Sequence, residues 1–71
     1  MEKIELIKFG TNLRQKRKEL GLTLEALGHL AEMDSKHIAK VEKGQKDIRL
    51  STVIKLIWAL EVDPGELFPK K

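Results

Sequence analysis

A chain of 71 residues has the length of one small domain with a modest core. Lys+Arg is 14 against 11 Asp+Glu, a net charge of +3 that leans toward anionic partners, and the pI of about 9.3 meets the usual flag for nucleic-acid binding. The lack of cysteine excludes disulfides and thiolate metal sites, no apolar run reaches the roughly 18 residues of a membrane span, and acids within the opening MEKIELIKFG argue against a signal peptide.

The apolar spacing is helical and alternating strand patterns are missing, which predicts an all-α fold of five helices. The first spans about 3–19, with Leu6, Phe9, Leu13 and Leu20 on one stripe. Arg17 falls in the gap of that stripe, and Gly21 ends the helix. The second runs about 24–31 behind Thr23 as N-cap, with Leu27 and Ala31 inward. Gly28 costs about 1 kcal/mol against alanine there, which a closely crossing helix would explain. The third runs about 35–43 from Asp34 as cap to Gly44 as stop. The connection between the second and third is so short that the two must meet at a steep angle, as in a helix-turn-helix. The fourth spans about 51–60 behind Ser51 as cap, with Val53, Leu56, Ile57 and Leu60 inward. Asp63 and Pro64 start a last short helical turn, Leu67 and Phe68 close the core, and Pro69–Lys71 is expected to be a mobile tail.

The segment MDSKHIAKVEKG, residues 33–44, raises the functional question. Lys36, Lys40 and Lys43 fall within an arc of about 60° on a helix, opposite Ile38 and Val41. Such a stripe fits a solvated face or a face shaped for an anion. The tight preceding turn, the small polar start at Ser35 and Ala39, and flanking basic residues at Arg14, Lys16, Lys18, Lys46 and Arg49 favour the anion. A protruding helix of this kind matches the major groove of duplex DNA. Glu42 lies off the stripe, at the edge of the buried side. With Arg17 it forms a pair of misplaced opposite charges, read either as one half-buried ion pair or as two separate exposed charges.

Phe9–Phe68 resembles the Cro/phage-repressor (XRE-type) helix-turn-helix family. The likeness is carried by RxxR…GLT at 14–23, VEKG at 41–44 and ALEVDPGELF at 59–68, and the loop and fourth helix are similar to restriction–modification controller proteins. The resemblance implies a five-helix lambda-repressor-like domain over residues 1–71, with the third helix reading DNA. It implies base contacts from Ser35, Lys36, Ala39 and Lys40, and phosphate contacts from Arg14, Lys43, Gln45, Lys46 and Arg49. Its structural ion pair falls on Arg17 and Glu42. The chain departs from the family at Leu24, where glutamine usually meets a phosphate, at Glu32, where the turn usually holds glycine, and at His29 and Leu30, where the family is polar.

His29 and His37 have no third partner at a ligand spacing, so no metal is expected, and no nucleophile arrangement supports an enzyme. Trp58 lies beside the core face of its helix, either flat on its own domain or as a dimer contact. The expected function is a sequence-specific DNA-binding transcription regulator, a homodimer on double-stranded DNA. No cofactor, small-molecule ligand or membrane is expected, and the implied location is the cytoplasm, at a bacterial or phage-type nucleoid. Leu24, Glu32, Leu30 and Trp58 leave open a second reading, a protein-interaction module of the same fold.

Overall fold

Helix formation follows the apolar periodicity over residues 2–70, the part of the chain that this computed structural model describes. Among the described residues there are four α-helices and no strand: α1 (Lys3–Glu19), α2 (Leu24–Ala31), α3 (Ser35–Glu42) and α4 (Leu50–Leu60). In place of the expected fifth helix there is a single 3-10 turn, Pro64–Glu66. Asp63 starts it by accepting from the Gly65 N–H at 3.0 Å, and the Glu66 carboxylate accepts from the Asp63 N–H at 3.1 Å. Pro69 follows too closely for an α-helical ladder to build. Of the tail, Pro69 and Lys70 adopt no regular structure and Lys71 lies outside the described residues.

The helix starts show which local rules prevail. Thr23 caps α2 by accepting from the Ala26 N–H at 3.0 Å, and Asp34 caps α3 by accepting from the Lys36 N–H at 2.8 Å. Ser51 does not cap α4: the helix begins one residue earlier, with Arg49 as N-cap and no side-chain cap bond. Ile48, just before that start, packs partly buried against the core. α3 ends at Glu42, one residue short of the expected end.

The core joins Phe9 and Leu13 of α1, Leu27 and Ala31 of α2, Ile38 and Val41 of α3, and Val53, Leu56 and Leu60 of α4. Leu67 seals it from the C-terminal turn. Phe68 stays partly exposed and tilts against Phe9, with ring centroids 5.7 Å apart. Leu20, expected on the α1 stripe, is exposed because it lies past the last turn of the helix, as its C-cap. The C-terminal turn is tied to α1 by the Asn12 side-chain amide, which donates to the Leu67 carbonyl at 3.0 Å, and by Lys16 Nζ, 2.8 Å from Glu66. The hydrogen bond from Lys16, and then that from the Asp63 N–H, hold the Glu66 carboxyl below its usual range. This support is present above the ordinary carboxyl value and is lost as pH falls through the lowered one.

Close backbone approach, rather than side-chain volume, sets how α3 meets its neighbours. α1 packs on α3, α3 on α2, and α2 on α4. A Cβ on Gly10 would meet the carbonyl oxygens of Val41 and Glu42, the latter at 2.5 Å, so α1 crosses the end of α3 at bare backbone. The space at Gly28 is taken first by the turn, since a Cβ there would lie 2.6 Å from the Met33 carbonyl, and then by the start of α3, whose Ser35 N would lie 3.4 Å away. That turn closes when the Met33 N–H donates to the Gly28 carbonyl at 2.8 Å, with Glu32 left-handed at φ 54°. A side chain in that region costs roughly 1–2 kcal/mol. Glu32→Gly is therefore expected to raise stability by somewhat under about 1 kcal/mol, after the extra chain entropy of glycine is deducted. Gly10→Ala is expected to lower it by about 1–3 kcal/mol, because two helices must separate. Urea unfolding of both variants checks the pair of opposite signs.

Candidate nucleic-acid interface

The outer face of α3 follows from what its inner face must bury. Ile38 and Val41 are buried, so Lys36 and Lys40 stand in solvent on the opposite side, with Ser35 and Ala39 half-exposed beside them. Lys43 is exposed at the C-cap and extends the same stripe. The face thus carries three cations, one hydroxyl and one methyl. Among the described residues no acid pairs with these lysines.

Glu42 points the other way. Arg17 Nε donates to Glu42 Oε2 at 2.7 Å and Nη2 donates to Oε1 at 3.2 Å, a two-point contact between nearly buried side chains. Arg17 Nη1 also donates to the Leu22 carbonyl at 2.8 Å. The guanidinium therefore ties α1, the α1–α2 connection and the end of α3 together. The hydrogen bond to Glu42 raises the Arg17 pKa, against a smaller opposing effect of burial, so the side chain stays charged. No buried side-chain polar atom among the described residues lacks a partner.

Around α3 the remaining basic residues sort by their surroundings. Gly44, at φ +69°, turns the chain out of α3 against Ile7 of α1. Gln45 and Lys46 follow it and are exposed. Arg49 is exposed at the α4 N-terminus, where backbone N–H groups without a side-chain cap favour a negative partner. Arg14 is exposed one turn beyond Gly10, on the side of α1 that meets α3. Lys16 does not join the basic flank, because Glu66 and Glu19 hold it. Leu24 is half-buried against the core, so the start of α2 offers no polar side chain at that position. His29 and Leu30 are exposed. Trp58 is 74% exposed, which rules out a ring lying on its own domain. Among the described residues no three His, Asp or Glu side chains gather as a metal site would require.

Two features escaped the sequence. The bare-backbone contact at Gly10 had a usable signal, a glycine inside an otherwise helix-favouring run. The third Arg17 bond, to the Leu22 carbonyl, had none, because main-chain acceptors leave no mark in composition.

The model of a protein family described as helix-turn-helix matches residues 13–67. The chain is 41% identical to the restriction-modification controller protein C.AhdI from Aeromonas hydrophila, over 89% of this chain and 96% of that one, with a TM-score of 0.85. The DNA-binding domain of BldD shares the fold at 21% identity, over 97% of this chain and 100% of that one, with a TM-score of 0.87. A transcriptional regulator from Vibrio cholerae shares it at 21% identity and a TM-score of 0.88, over 94% of this chain and 38% of that one. Among curated protein sequences no relative matches.

A nearly buried ion pair loses most when it is halved. Arg17→Ala or Glu42→Ala alone is expected to cost about 3–5 kcal/mol, because each leaves an unpaired charge in the packed interior. Replacing both with apolar residues of similar volume, Arg17→Met with Glu42→Leu, is expected to recover most of that loss in thermal unfolding.

Proposed function

The chain belongs to the helix-turn-helix family and is a DNA-binding transcription regulator, and we propose that it works as a homodimer with each α3 in the major groove of one half of a two-fold operator. The single observation that carries the reading of α3 is its outer face: three unpaired lysines flank a small hydroxyl and a methyl, on a helix fixed to the domain by Arg17 and Glu42. In this reading Lys36 and Lys40 donate to guanine O6 and N7, Ser35 donates or accepts at a base edge, and Ala39 meets a base methyl. Arg14, Lys43, Gln45, Lys46 and Arg49 hold phosphates on either side and set the docking angle. Neither Leu24 nor any catalytic group takes part. The whole described chain serves as one binding domain, in the cytoplasm where such DNA lies.

Pairing is supported by α4. Leu50, Ile54 and Trp58 recur every four residues along it, and Leu50 and Trp58 are each more than 70% exposed. α4 packs mainly on α2, and in this reading a second copy covers its exposed stripe while α3 keeps its lysine face for DNA. A two-fold pair would present its reading helices about 34 Å apart, one turn of the duplex. The likeness to a restriction-modification controller protein supports a regulator of that kind. Exposed Leu30 favours the alternative, in which the domain binds another protein and little DNA.

Affinity for a random duplex is expected to fall steeply with salt, since phosphate contacts release counterions. A chain that ignores duplex DNA at low salt would instead be a protein-interaction module. Lys36→Ala and Lys40→Ala are each expected to remove about 1–3 kcal/mol of preference between sequences without loss of fold. In sedimentation, Trp58→Ser is expected to shift the chain toward monomer and to weaken operator binding with it.

A further inference from the structure

Lysines also converge away from the α3 face. A groove of about 650 Å³ runs between the start of α1 and the segment after α3. Lys3, Leu6 and Ile7 line one side, and Lys43, Lys46 and their neighbours line the other. Its floor is fixed by backbone, because a Cβ on Gly44 would lie 2.9 Å from the Ile7 Cα. Three cations therefore line one cleft in which Asp47 supplies the single acid, and none of the three lysines is in an ion pair among the described residues. Like charges held this way repel in the free protein, and an anion in the cleft turns that repulsion into attraction.

We propose that this groove seats a backbone phosphate of the bound duplex, with Lys3 as a DNA contact supplied by α1 beside Lys43 and Lys46. The inference rests on the DNA-binding reading above and adds α1 to the surface that touches DNA. Lys43 belongs both to the α3 stripe and to the groove, so the seated phosphate lies beside the major groove that α3 occupies. An ammonium suits this task as a point charge without directional demand. Such a contact anchors the domain without reading bases.

The test compares the unchanged chain with Lys3→Gln and Lys3→Arg, each titrated with a selected duplex and a scrambled one across a salt series. Lys3→Gln is expected to reduce the slope of log affinity against log salt by about 0.9 for each bound protomer, and to weaken both duplexes by the same factor. Lys3→Arg is expected to keep the slope. An unchanged slope in Lys3→Gln overturns the proposal, and so does a loss confined to the selected duplex. A second arm follows the amide signals of residues 3–7 and 44–47 by NMR with inorganic phosphate alone. Saturation there, without a response to duplex, would mark a free-anion site and overturn the DNA assignment. If the unchanged chain binds no duplex at low salt, the DNA reading itself fails and the proposal with it. That outcome differs from a failure of Lys3 alone.

Discussion

The contact between Arg17 and Glu42 is the constraint on which the rest of the molecule depends. Two charges withdrawn from water gain little net free energy, since desolvation offsets most of their attraction. What the pair supplies is geometry. A planar guanidinium and a carboxylate meet well in one arrangement, at 2.7 and 3.2 Å here, and the remaining fork reaches the Leu22 carbonyl. The end of α3 is therefore fixed relative to α1 and to the chain that leads into α2. With Glu42 turned inward, the lysines at 36, 40 and 43 can only face out.

Glycine backbone completes what the ion pair begins. Helices of eight residues bury few side chains, so α2 and α3 cannot hold their angle by volume alone. At Gly10 the end of α3 lies directly on α1, and at Gly28 the turn folds back on α2. These contacts leave no room for a side chain between the elements. Under the proposed function, a face held in place this way would lower the entropic cost of binding a rigid duplex.

Local chemistry made much of this legible in the sequence. Thr23 and Asp34 announce helix starts because a short oxygen-bearing side chain satisfies a free N–H wherever it precedes a helical run. Arg17 and Glu42 were visible as opposite charges on sides that should be apolar. The misses share a different cause. Ser51 has the right chemistry for a cap, yet α4 starts ahead of it at Leu50, next to Ile48 packed partly buried on the core. The last predicted helix shrinks to a 3-10 turn because Pro69 follows it too closely for an α-helical ladder. Gly28 suggests a close helix, and the start of α3 does come near, but the turn's own Met33 carbonyl is the tighter neighbour. Each depends on tertiary arrangement, which spacing along the chain does not encode. The base-facing role proposed for Ser35, Lys36, Ala39 and Lys40 rests on resemblance; the structure adds that they share the outward side of one helix, the two lysines exposed and the two small residues half-exposed.

The ion pair and the backbone contacts at Gly10 and Gly28 hold the lysine stripe outward, and the proposal that α3 is the surface presented to DNA rests on that arrangement. Cross-saturation NMR tests it most directly, by irradiating the duplex protons in the complex and recording which protein amides lose intensity. The account predicts losses at Lys36, Ala39, Lys40 and Lys43, with Leu50, Ile54 and Trp58 unaffected. Losses centred on α4, with α3 silent, would contradict it.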